Sequence, residues 1–196
     1  MNNINLNIST LKASTFCAAT KDVRYYLNGV YIEILPGSRQ AHITSTDGNM
    51  LSHLTETLEQ CSFAEYVSVI VPLETVKAVL KMQKNGTVSL SRSGSDSWQL
   101  GAVTFQPIEA KYPDYRRVIP QTKDVVKGNA EGLQFNPELL LKCHKAIRTF
   151  TGDETSCGIL TEYDDSKAVI HDGTPNAVSI CMGMRVRCES YKGIAA

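Results

Sequence analysis

Apolar and polar positions alternate at the start of the chain. Ile4, Leu6 and Ile8 interleave with Asn3, Asn5 and Asn7, the period of a half-buried strand. Ser9 is placed to cap a helix running to about Thr20, with Leu11, Thr15 and Ala18 at helical spacing. Strands resume after Lys21–Gly29: Val30, Ile32 and Ile34 share one face, Tyr31 and Glu33 the other. Pro36-Gly37-Ser38 turns the chain, a strand near residues 41–46 reaches the turn pair Asp47-Gly48, and another runs from about Asn49 to Thr57. The predicted order is βαβββ.

The pattern then repeats. The β-branched run Val67–Val71 leads to Pro72, expected at the first helical position, where a proline loses no hydrogen bond. The helix is predicted to about Lys84, with Leu73, Val76 and Leu80 on one face and Asn85-Gly86 ending it. Strands at 87–91, 97–101 and 102–108 complete a second unit, with Ser93-Gly94-Ser95-Asp96 as its first turn. Residues 121–131 are polar and read as a linker. A third unit opens at Leu133 and Phe135. Asn136 is set to cap, Pro137 takes the first helical position, and a helix to about Arg148 presents Leu139, Leu140, Cys143 and Ile147. Strands at 157–163, 167–171 and 177–187 follow, with Asp164-Asp165 and Asp172-Gly173 at the turns, and residues 188–196 form a tail. Repeats of about 60 residues mark an internal repeat. A single unit would leave sheet edges and one sheet face bare, so the units are expected to pair edge to edge in an α+β fold of antiparallel sheets.

Composition narrows the function. The 196 residues suffice for one good core or two smaller ones, and a hydrophobic content of 42% suits a globular protein. Twenty Lys+Arg balance twenty Asp+Glu, so any nucleic-acid contact must come from local clustering of cations. No stretch approaches the ~18 apolar residues of a membrane span. Met1–Asn5 lacks the basic start and apolar run of a secretory leader, and the expected location is cytoplasmic. Six cysteines (Cys17, Cys61, Cys143, Cys157, Cys181, Cys188) contain no CxxC pair, which argues against a metal site and for free thiols. No GxSxG, HExxH, Walker or GxGxxG pattern occurs, and His42, His53, His144 and His171 have no evident acid or nucleophile partner along the sequence. Neither catalysis nor a cofactor is implied.

The cations are segregated. Lys77, Lys81 and Lys84 lie on the second helix away from its apolar face, and Lys142, Lys145 and Arg148 do the same on the third. Lys12 and Lys21 belong to the first helix and its exit. The second and third helices carry one acid each, Glu74 and Glu138, in the first turn where they suit the helix dipole. Any one such face is commonly just solvated. Together they suit a helix-lined surface that meets phosphate without reading bases. In Lys21–Gly29, Arg24, Tyr25 and Tyr26 place a cation beside two aromatic faces able to stack on bases, although tyrosines entering a strand also serve simply to cover a core.

Three stretches carry a resemblance: Arg24-Tyr25-Tyr26-Leu27-Asn28-Gly29, Thr46-Asp47-Gly48 before a strand, and Pro113-Asp114-Tyr115-Arg116-Arg117-Val118. In order and spacing they resemble the middle domain of the bacterial sliding clamp, the beta subunit of DNA polymerase III. Residues 1–120 resemble that whole domain, as two paired units. Residues 132–187 resemble the second half of the family's last domain. The resemblance implies a DNA-clamp fold whose helices line a ring around duplex DNA, which is contacted through Lys21, Arg24, Tyr25, Tyr26 and the helix cations. It also implies a pocket for short peptide motifs of polymerases and clamp-loader subunits. Its elements fall on Leu27, Thr46, Gly48, Asn49, Met50, Leu51, Pro113, Arg117 and Val118, and from the C-terminal strand on Ile180, Met182, Met184, Arg185 and Val186. Flexible methionines in an apolar groove suit varied peptides, whereas without the resemblance they would read as core. The sequence departs from the family at Asn49-Met50, usually His-Arg, and at Gly183, usually proline, so a charged contact is lost. The implied function is a non-enzymatic processivity factor. A clamp-derived adaptor or decoy that binds the peptides without encircling DNA is the alternative, and a purely structural β-rich assembly explains the repeat but not the pocket. The third unit, lacking a partner unit, is expected to build a homodimer through residues 132–187, with a tetrameric ring as its extension.

Overall fold

The computed structural model describes residues 3–59, 61, 63–94, 96–120, 134–152, 160–163 and 166–184, the strand at 160–163 by its backbone alone. The linker at 121–131 and the tail at 188–196 lie outside these residues, as do the predicted strand residues 157–159 and 185–187.

The first unit comprises β1 (Asn3–Asn7), α1 (Ile8–Ser14), β2 (Gly29–Ile34), β3 (Gln40–Thr46) and β4 (Met50–Thr57). The second comprises β5 (Val67–Pro72), α2 (Leu73–Met82), β6 (Thr87–Arg92), β7 (Trp98–Leu100) and β8 (Val103–Phe105). The third comprises α3 (Pro137–Thr151), β9 (Leu160–Tyr163), β10 (Lys167–His171) and β11 (Ala177–Met182).

The first two units exchange their opening strands. β1 joins the sheet β1-β6-β7-β8, and β5 joins the seven-stranded sheet β5-β2-β3-β4-β11-β10-β9. All pairings are antiparallel. The third unit is therefore not alone, contrary to expectation: β11 pairs with β4 from Ala177↔Leu54 to Cys181↔Met50, and α3 packs on α1. Strand alternation explains the fit, because Ala168, Ile170, Ala177 and Cys181 of the third unit enter the same apolar cluster as Leu54, Leu11 and Ile147. That cluster runs between the helices and both sheets.

Several element ends differ from the sequence pattern. α1 stops at Ser14 rather than about Thr20. The Ser14 hydroxyl donates to the Leu11 carbonyl (2.8 Å) and Thr15 Oγ1 to the Lys12 carbonyl (2.7 Å), so side chains take the acceptors that the next turn would use. Its cap position is held by Asn7, not Ser9. Pro72 stays in β5 opposite Gly29 and occupies the cap position of α2, whose first residue is Leu73. α2 ends at Met82, and α3 continues to Thr151, where Gly152 (φ +72°) closes it with its N–H on the Arg148 carbonyl. β8 is short because residue 108 leaves for the other sheet: Ile108 N–H donates to the Ile70 carbonyl at 3.0 Å.

That departure positions the site. Residues from 106 onward cross the face of the seven-stranded sheet opposite the helices, where Leu51, Ile70, Tyr112, Tyr115 and Ile180 form a second apolar cluster.

Candidate peptide groove and cationic face

The face of the large sheet away from the helices carries its side chains in cross-strand rows. Thr46, Leu51 and Ile180 stand opposite one another on β3, β4 and β11. The next row along is Ile70, Tyr31, Thr44, His53 and Val178, and the one after holds Ser68, Glu33, His42 and Thr55. Over these rows runs the segment ending in a 3-10 turn at Tyr115–Arg117.

Between the first row and this segment lies a groove of about 290 Å³. Thr46, Leu51 and Ile180 form its floor, Pro113 and Val118 a wall, and Leu27, Met50 and Met182 close it. Gly48 and Asn49 line the hairpin end. The hairpin turn is built by Asp47, whose carboxylate accepts from Asn49 and Met50 N–H at 2.8 and 2.9 Å. Gly48 sits at φ +93°, and a Cβ there would lie 2.8 Å from the Arg24 guanidinium. The positive φ favours glycine, and any side chain there would also push the Arg24 guanidinium aside.

Ten of the residues predicted for the pocket thus converge from four separate segments. Arg117 does not line the groove; it is largely exposed and ion-paired with Asp114 at 2.9 Å. Met184 is half exposed outside it, with its backbone bridging Gln134. Arg185 and Val186 lie outside the described residues. Four lining residues were not assigned to the pocket from sequence: Arg24, Tyr26, Asp114 and Tyr115. The last two sit inside the Pro113–Val118 stretch, so that stretch itself was the available signal. Arg24 was read as a DNA contact, yet its guanidinium is committed to Asp22 (2.8 Å) and to the Asp47 carbonyl (3.0 Å). The hydrogen bond from Arg24 holds the Asp22 carboxyl down at about 2. Tyr25 and Lys21 remain exposed, Lys21 with the left-handed φ of +58°.

Beside the groove Glu33 is buried, its carboxylate 5% exposed. Tyr66 donates to Oε1 at 2.8 Å, Tyr115 to Oε2 at 2.9 Å, and the Arg116 guanidinium also reaches Oε2. Burial alone would raise its pKa, but bonds from Arg116, Tyr66 and Tyr115 outweigh it and hold the group below the ordinary value. His53 stacks on Tyr115 (centroids 4.9 Å) and on His42 (5.5 Å). Burial, then His42 and Arg116, hold its pKa down at about 4.

On the helix side, a cleft of about 480 Å³ is lined by Lys12, Lys84, Lys145 and Arg148 with Ser9, Asn85, Thr149 and Gly152, and no acid is among these residues. The last turn of α1, the end of α3 and the residues just past α2 bring these cations together. Lys84 donates to the Leu80 carbonyl at 2.6 Å, while Lys77 is taken up by Glu74 at 3.2 Å. Lys81 and Lys142 are exposed on their helices but do not line the cleft. Among the described residues no His/Cys/Asp/Glu group is arranged to hold a metal, and no helix is long and apolar enough to cross a membrane.

Solved structures share this architecture. The DNA polymerase sliding clamp from Pseudomonas aeruginosa superposes with a TM-score of 0.68 at 20% identity, over 94% of this chain and 67% of that one. The DNA polymerase III beta subunit from Thermotoga maritima gives 0.68 at 17% identity over 95% and 66%. At such identities the likeness speaks for the fold, which is that of the clamps. In sequence, the beta sliding clamp of Caulobacter vibrioides is 27% identical over 155 residues, 76% of this chain and 40% of the relative. That of Escherichia coli K12 is 32% identical over 119 residues, 58% and 31%. The chain thus spans about two-fifths or less of these relatives. The family described as DNA polymerase III beta subunit, central domain, matches residues 4–114. Matched over more than half of its length, the chain belongs to that sliding-clamp family.

Proposed function

We propose that the chain is a sliding-clamp-like processivity factor that captures short apolar peptide segments of polymerase and clamp-loader subunits in the groove and turns its cationic helix face to the backbone of duplex DNA. The observation that carries this reading is the convergence of Leu27, Thr46, Leu51, Val118, Ile180 and Met182 on one open apolar groove. An extended or turned peptide with two or three apolar side chains fits such a site, and Met182, 37% exposed, is free to adapt to it. The cleft of Lys12, Lys84, Lys145 and Arg148 supplies positive charge with no acid beside it, which suits contact with the phosphates of DNA of any sequence.

Calorimetry with a peptide bearing a polymerase C-terminal apolar motif tests the groove. The expected affinity is micromolar, about −8 kcal/mol. No heat, together with no competition at high peptide concentration, would remove the reading. A chain that binds the peptide but shows no salt-dependent DNA association is the adaptor or decoy instead. Light scattering across a concentration series tests self-association through residues 132–187, which now rests on the outermost strand β9, since β11 is already paired within the chain.

A further inference from the structure

The wall of the groove is a crossing segment with little regular structure of its own, and its position must be set by what it touches. Tyr112 stacks on Tyr31 with centroids 4.7 Å apart and planes at 5°. Tyr115 stacks on His53 and meets Tyr31 edge-on at 6.2 Å. These contacts fix the height of the segment above the sheet, and the Ile108 N–H on the Ile70 carbonyl (3.0 Å) holds its start, while ring stacking alone leaves freedom at the turn that ends it. Glu33 removes that freedom. It rises from near the end of β2, and its two carboxylate oxygens take three donors from two places: Tyr66 ahead of β5, and Tyr115 and Arg116 in the 3-10 turn. The Arg116 guanidinium in turn covers the Tyr115 ring, 4.7 Å from its centroid. A carboxylate buried this far is strongly unfavourable unless every donor stays in place, so the turn has one register in which the charge is satisfied. Residues on either side of that register, Pro113 and Val118, are the groove wall, while neither Glu33 nor Arg116 lines the groove.

We propose that Glu33 is a positioning residue for peptide binding: by locking Tyr115 and Arg116 onto β2 it sets the gap between the wall (Pro113, Val118) and the floor (Thr46, Leu51, Ile180). This rests on the groove being the peptide site. Glu33 acts through the turn and does not touch the peptide.

The test measures the dissociation constant of a fluorescent polymerase-tail peptide on the whole chain for the wild type, Glu33→Gln, Arg116→Gln and the double variant. All are studied at a temperature where circular dichroism shows them folded. Val118 methyl resonances are followed in the peptide-free proteins, with Val88 of the other sheet as reference. Each single variant is expected to weaken binding about tenfold, the scale of one charge-assisted bond. The double variant should be no weaker than either single one, since both break the same lock. Val118 signals should shift while those of Val88 stay. Arg116→Gln alters a half-exposed side chain and keeps the test open if Glu33→Gln does not fold. Unchanged affinity in folded variants overturns the lock while leaving the groove reading intact, and so does a fall in melting temperature with affinity and Val118 signals unmoved. A wild type that does not bind the peptide overturns the groove reading and the lock with it.

Discussion

His53 stands in the middle of β4 as a neutral ring among aromatic neighbours, with Thr44 Oγ1 2.9 Å from its Nδ1. Unfolded, such a ring takes its proton near pH 6.5; folded, it resists until about 4. Between these values the unfolded chain binds more protons, so stability is highest above pH 6.5 and falls on acidification through the window. The whole shift corresponds to about 3 kcal/mol at most. His42, also lowered by burial, titrates in the same direction. Glu33 works the same way, but only below the ordinary 4.5 of a carboxyl, so its loss begins near the bottom of the range. Urea unfolding at pH 7 and pH 4.5 is expected to show a smaller acid loss for His53→Phe than for the wild type. Equal losses would mean the ring is already solvated. Neither His53 nor Glu33 was legible as important: along β2 Glu33 simply alternates with Val30, Ile32 and Ile34, as a solvent-facing residue would. What hid it is a segment arriving from more than eighty residues away, Tyr115 lying 82 positions further on.

Among the elements, α3 shows where sequence signals are reliable. Asn136 was placed as the cap, and its side chain accepts from Glu138 N–H at 2.9 Å with Pro137 behind it at the first helical position. Asn136→Ala is expected to cost about 1 kcal/mol and to lower the melting temperature by a few degrees, with Asn136→Asp near neutral. Calorimetric melting of the three proteins decides it. The same kind of reading ran well over a turn too far in α1, where Ser14 and Thr15 bond back to their own helix carbonyls instead of letting it continue. Strand–helix order was legible in the first two units, and in the third from α3 onward, because each local pattern is strong; the third unit's expected opening strand is represented among the described residues only by the bridge of Gln134 to Met184. The exchange of β1 and β5 was not, since the hydrophobic period says which face a strand buries but not which neighbour it takes.

For the whole molecule the near-zero net charge hides a division of labour, with a cationic cleft on the helix side and an apolar groove on the opposite face. Fluorescence anisotropy on duplex DNA between roughly 50 and 200 mM salt reads the first, because each phosphate neutralised adds about 0.9 to the slope of log affinity against log salt. Lys145→Gln with Arg148→Gln should lower that slope by roughly two and leave peptide affinity unchanged. An unaltered slope would assign the cleft to ordinary solvation. Lys12 completes this cleft because helix packing brings the single lysine of α1 beside Lys84, just past α2, and the cations of α3.

The exchanged strands also bear on how the chain acquires its structure in time. β1 can complete no sheet until β6 exists, its residue Asn3 being paired with Ser91. β2, β3 and β4 can pair with one another at once, but the other edge of β2 waits for β5 and that of β4 for β11, with Leu54 opposite Ala177. A ribosome therefore releases β1 long before β6 is there to receive it, and β4 before β11. Contacts this remote make for slow, cooperative assembly in which neither of the first two repeats can mature without the other. Until then the exposed edges of β2, β4 and β6 are open to other growing chains, which makes the interval of synthesis, rather than the finished protein, the time of greatest exposure to aggregation.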